Sequence, residues 1–170
     1  MNNILVKKYH HTLEEIKVAD QQAIKDFRDK IIDSNKLISI NNEHLNTVRR
    51  IISDFGLPTI TNSSHDAYKA VVLVALHSGD VGFLENILQE LKMANSSSIE
   101  KRDIAYVTDK MRVIQNQPQL YGTQYKISAN GDMHYIEIED PENLERRRVE
   151  LGMESFEEYK KTVERSIKSR

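Results

Sequence analysis

Apolar positions recur every three or four residues along most of this chain, the spacing that gathers them on one side of an α-helix. Leu13, Ile16, Ala19, Ala23, Ile24, Phe27 and Ile31 form one such stripe and predict a helix over 12–33. Thr12 and Glu15 stand at capping-box spacing and set its start. Leu45, Val48, Ile51 and Ile52 predict a second helix over 42–54, stopped by Gly56 and Pro58. Segment 64–78 has almost no polar face, since Ala67 is followed by Ala70, Val71, Val72, Leu73, Val74, Ala75 and Leu76. It predicts a helix in the middle of the fold, with a buried strand as the competing reading because the valines are β-branched. Ser78-Gly79-Asp80 then sets a C-cap glycine beside an N-cap aspartate, the chemistry of a tight helix–helix turn. The helix that follows, 81–93, buries Phe83, Leu84, Ile87, Leu88 and Leu91.

The second half is more mixed. Ser97 and Glu100 form a further capping box and open a helix running to about Val113, and Pro118 prevents its continuation. The β-prone residues of Tyr121–Ile127, the pair Asn130-Gly131 and the run Met133–Ile138 predict a hairpin closed by a type I′ turn. Asp140-Pro141 reads as N-cap plus N1 proline of a helix reaching about Glu150, closed by Gly152. Ser155 with Glu158 caps a last helix that buries Phe156, Tyr159, Val163 and Ile167. The expected fold is mainly α: a single domain over 1–170, with about six helices and one β-hairpin near residues 121–138. Residues 1–11 are expected to form a flexible N-terminal segment.

Composition narrows the chemistry. The 39% hydrophobic and 29% charged residues are a globular balance, and a net charge of −2 gives no strongly basic footprint for nucleic acid. The absence of cysteine removes disulfides, thiolate zinc sites, iron–sulfur clusters and cysteine nucleophiles. No apolar run approaches a membrane span or a signal-peptide core, so a soluble, cytoplasmic protein is expected. His10, His11, His44, His65, His77 and His134 show no metal-ligand spacing, and no glycine-rich phosphate loop or nucleophile elbow appears. Neither metal nor cofactor is expected.

His77 is the leading candidate for chemistry. It lies one turn after Leu73 and Val74, on the inward side of the most apolar helix. It reads either as a general acid/base or ligand contact, or as a core histidine capping a helix end. Asp109 and Arg112 are three apart and can meet on one helix face, to orient a substrate or His77, or merely as a surface ion pair. Gln119, Tyr121, Thr123 and Gln124 crowd amides, a phenol and a hydroxyl around Gly122 at a helix-to-strand junction. They suit a neutral polar ligand, or a turn that satisfies its own backbone. Asp20 borders the first apolar stripe and reads as a pocket contact or a solvated helix residue. Arg146-Arg147-Arg148 among glutamates reads as an anion site or, as the glutamates favour, a solvated, salt-bridged helix face, and the basic C-terminal residues complement the helix dipole.

In these residues the chain resembles a bacterial domain-of-unknown-function family. That family is marked by a D-Q pair, a G-W-P stop, an H-A-D segment, an A-Y-L-T-D-R helix and a Y-G-T-Q motif. Here they stand as Asp20-Gln21, Gly56-Leu57-Pro58, His77-Ser78-Gly79-Asp80, Ala105 through Lys110, and Tyr121-Gly122-Thr123-Gln124. Leu57 replaces the tryptophan, Gly79 interrupts H-A-D and Lys110 replaces the arginine. The resemblance implies positions and no reaction: His77, Asp109 and Gln124 would converge on one pocket.

Three readings follow. In the first, His77 is the acid/base, Asp109 its orienter, and Asp20, Arg112, Gln119, Tyr121, Thr123 and Gln124 bind a small polar or peptide-like substrate for hydrolysis or group transfer. In the second, the same cluster is a non-catalytic binding site for a ligand or protein segment. In the third, these residues lock the hairpin onto the helices.

Overall fold

The computed structural model describes the backbone of residues 3–128 and 132–168, and the side chains of 9–128 and 132–167. Among them are seven α-helices: α1 Asn3–Arg28, α2 Ser34–Phe55, α3 His65–Ser78, α4 Val81–Met93, α5 Lys101–Ile114, α6 Leu144–Glu150 and α7 Phe156–Lys168. A 3₁₀ turn, Pro141–Asn143, precedes α6. The fold is mainly α, with one antiparallel hairpin of β1 (Tyr125–Ile127) and β2 (Met133–Tyr135). No described helix is long and apolar enough to cross a membrane. The chain groups into two compact units, one of residues 1–83 and 93–99, the other of 84–92 and 100–170.

In the first unit α1, α2 and α3 pack on one another. Leu13, Ile16 and Ala23 of α1 meet Leu45, Val48 and Ile51 of α2 and Ala67, Tyr68, Ala70, Val71, Val74 and Ala75 of α3 in the core. Ser64 caps α3 by accepting from the Ala67 N–H, and α3 is a helix despite its valines, because a helix whose apolar face is buried draws on packing more than on propensity. Gly79 turns the chain at φ +67° and Asp80 accepts from the Phe83 N–H, as the Ser-Gly-Asp sequence predicts.

Several boundaries differ from the sequence expectation. Thr12 does not start α1, which already includes residues 3–11. No glycine or proline interrupts that segment, so a capping-box spacing inside it stops nothing. α1 ends at Arg28, leaving Phe27 42% and Ile31 70% exposed, and Ala19 is also exposed while Asp20 takes the buried position. The chain turns at Lys30 (φ +59°), and Asp33 caps α2 eight residues earlier than predicted by accepting from the Lys36 N–H.

In the second unit, α5 begins at Lys101 and not at Ser97, because Asn95 captures both the backbone N–H and the hydroxyl of Ser97. The hairpin is shorter than predicted, pairing Tyr125 with Tyr135 and Ile127 with Met133. Its expected Asn130-Gly131 turn lies outside the described residues. Asp140 adopts φ +48° without capping through its side chain, so Pro141 opens a 3₁₀ turn and not the α-helix itself. Ser155 and Glu158 do form a reciprocal capping box at α7.

Candidate functional site

In the first unit, each of the three packed helices contributes a polar side chain to one cluster. On α1 the buried positions run Leu13, Ile16, Asp20 and Ala23, so Asp20 sits where an apolar residue would continue the seam. Its side chain is 1% exposed. On α3, His77 lies three residues beyond the buried Val74 and is 29% exposed at its side chain. The two meet at 2.7 Å between His77 Nδ1 and Asp20 Oδ2. From α2, His44 Nδ1 stands 3.8 Å from Asp20 Oδ1, too long for a hydrogen bond. Asn41, one turn earlier, donates its amide Nδ2 to the His77 carbonyl at 3.2 Å.

The electrostatics follow from this placement. Burial pushes the Asp20 carboxyl up, but the imidazoles of His44 and His77 beside it outweigh that and hold the group below its ordinary value. An ionised carboxylate only accepts, so Nδ1 of His77 is the donor and carries the proton. That leaves Nε2 with no bond from any described residue, on a ring that is partly exposed. Asp20 Oδ1, His44 Nδ1 and Asn41 Oδ1 are buried and have no hydrogen-bond partner among the described residues. No group of three described His, Asp or Glu side chains has the geometry to hold a metal ion.

The second unit holds two buried carboxylates, Asp103 and Asp109. Asp109 of α5 is fully buried. Its Oδ1 accepts from the N–H groups of Leu120 (2.7 Å) and Tyr121 (3.0 Å). Its Oδ2 accepts from the N–H and the hydroxyl of Thr123, both at 2.9 Å. Burial pushes this carboxyl above its ordinary value, and the bonds from Thr123, Leu120 and Tyr121 recover only part of the rise. Gly122 completes the turn at φ +70°, and a Cβ there would lie 2.6 Å from the Phe156 ring.

The surrounding side chains complete this turn as structure. Gln119, fully buried, donates to the carbonyls of Gln124 and Ile136 and accepts from the Gln124 N–H. The Gln124 amide donates to the Thr123 hydroxyl, and the Tyr159 hydroxyl donates to the Thr123 carbonyl. Arg147 and Arg148 donate to the carbonyls of Leu120 and Tyr121. Arg112 does not pair with Asp109, as their spacing suggested, but donates to the Pro118 carbonyl and pairs with Glu139. The backbone N–H groups of Leu120, Tyr121, Thr123 and Gln124 and the Thr123 hydroxyl are thus all engaged internally.

The residues singled out from sequence thus fall into two sets. Asp109, Gln119, Tyr121, Thr123 and Gln124 come together in the second unit, and Asp20 and His77 in the first. The carboxylate that orients His77 is Asp20, not Asp109. Sequence reasoning missed His44 and Asn41, which share the α2 face of Leu45 and Val48. It also misread Arg148, which is fully buried under the rings of Phe156 and Tyr159 and not solvated. The buried Leu144 four residues before it was the available signal.

No curated protein and no solved structure matches the chain. A family model does, over residues 19–169, a span that holds Asp20, His77 and Asp109. The chain belongs to the family of unknown function DUF6624.

Proposed function

We propose that the first unit carries a general acid–base centre in which Asp20 holds His77 and Nε2 of His77 moves the proton. The observation that carries this reading is the 2.7 Å bond from a partly exposed imidazole to an almost fully buried carboxylate. That bond fixes the ring's tautomer and orientation and stabilises the imidazolium formed when Nε2 takes a proton. Among the described residues no serine hydroxyl is bonded to the His77 ring, and the chain has no cysteine, so water or a substrate hydroxyl or amine is the nucleophile. The reaction class is hydrolysis or group transfer on a small polar or peptide-like substrate.

Two measurements test the proposal. Nitrogen-15 NMR of His77 should show the proton on Nδ1 and not on Nε2. Against a panel of chromogenic esters, phosphodiesters and peptide anilides, His77→Gln and Asp20→Asn should each lower kcat/KM by about 10²–10⁴ with the fold intact, the range of general acid–base contributions. The opposite tautomer, or full turnover by a folded His77→Gln protein, would remove the role. A second reading, in which Asp20 only ties the three helices together, draws on the Asn41 bond to the His77 carbonyl. It expects both variants to lose stability and neither to alter turnover.

A further inference from the structure

The first unit also holds a cavity of about 190 Å³, bounded by the start of α1, the end of α2 and the loop to α3. Its walls include Tyr9 and Leu13 of α1, Ile51 and Phe55 of α2, and Leu57 and Pro58 of the loop. The Tyr9 and Phe55 rings lie 4.1 Å apart between centroids and form one aromatic side. Asp20 is seven residues beyond Leu13 on α1, about 10 Å along the helix at the usual rise, so this cavity is separate from the His77 centre.

The chemistry of the walls selects the occupant. Among the described residues no lysine, arginine, aspartate or glutamate lines the cavity, so that beyond the His10 ring they offer nothing to compensate a ligand's charge. The volume exceeds the roughly 150 Å³ of a cavity known to admit benzene and suits a ring with a small substituent. Three polar residues, His10, Asn62 and Ser63, complete the lining. Asn62 is committed within the loop, accepting from the Thr59 N–H and donating to the Leu57 carbonyl. The Ser63 hydroxyl is buried without a hydrogen-bond partner among the described residues, which leaves it able to bond a ligand's polar substituent.

We propose that this cavity binds a small, neutral aromatic molecule bearing one hydrogen-bonding group. The probes are phenol and indole, with benzoate as the charged counterpart, titrated into the full chain and followed by methyl and aromatic NMR. Phenol or indole should give saturable shifts at Leu13, Ile51, Leu57 and Phe55, and benzoate should bind at least tenfold more weakly. Leu57→Phe, which fills the space, should weaken the neutral probe at least tenfold while leaving the His77 signals unchanged. Should that variant fail to fold, Ser63→Ala is the second: it should weaken phenol several-fold and leave benzene unaffected. Absence of saturable shifts with either neutral probe, benzoate binding as tightly as phenol, or unchanged binding in the filled or Ser63→Ala variant would each overturn the proposal.

Discussion

Two buried aspartates, one in each unit, show how the same side chain serves different ends. Asp109 receives four donors from one turn, three of them backbone N–H groups, and no part of it reaches solvent. Asp20 makes one short bond, to a partly exposed ring, and its other oxygen lacks a hydrogen-bond partner among the described residues. A carboxylate whose lone pairs are all engaged fixes a backbone. One bonded to a single imidazole is the arrangement on which the proposed acid–base role rests. Burial is common to both and does not distinguish them; the number and kind of donors does.

The sharpest way to break the comparison is Asp109→Ala. It strands several buried donors at once, and loss of a buried hydrogen-bonded charge should cost about 3–5 kcal/mol. Urea unfolding measures this, and a loss below about 1 kcal/mol would contradict a structural role for Asp109. Gly122→Ala comes next. A positive φ and a contact with Phe156 far inside van der Waals range should together cost about 2–4 kcal/mol, read in the same assay. Tyr159→Phe removes one neutral hydrogen bond to the Thr123 carbonyl and should cost about 1 kcal/mol.

For Asp20 the smaller and more selective effect lies in pH. Its carboxyl is held below the ordinary 3.8 in the folded chain, so on acidification the unfolded chain binds the proton first. The stabilisation from Asp20 is therefore fully present above the ordinary value and is lost as pH falls through the folded value. Asp20→Asn should flatten the acid side of the stability profile. A variant whose unfolding free energy keeps the wild-type acid slope would show that Asp20 is not selectively stabilised in its ionised form.

Much of the helical framework was legible from residue spacing. The Ser64–Ser78 segment, the Ser78-Gly79-Asp80 turn and the Ser155–Glu158 cap are local events, decided within a few residues by apolar continuity and capping chemistry. The start of α2 was masked because the stripe ending at Ile31 made one long helix plausible, although Asp33 was already in place to cap the next. The candidate residues were found as types and not as partners. His77 and Asp20 lie 57 positions apart, and no periodicity along the chain links them. Asp109 and the Tyr121–Gln124 turn were noticed as polar and unusual, but whether their atoms face a ligand or one another is a matter of hydrogen-bond closure.

Sequence alone determined the helix-rich class, the caps at Gly79, Asp80 and Ser155 and the absence of thiol chemistry, because each depends on residue identity or on neighbours within a turn or two. Tertiary packing decided which carboxylate holds the imidazole, which arginine is buried and which polar turn is closed on itself. Those outcomes depend on distances between segments far apart in the chain, and a hydrogen bond that is lost over one ångström cannot be read from spacing along it.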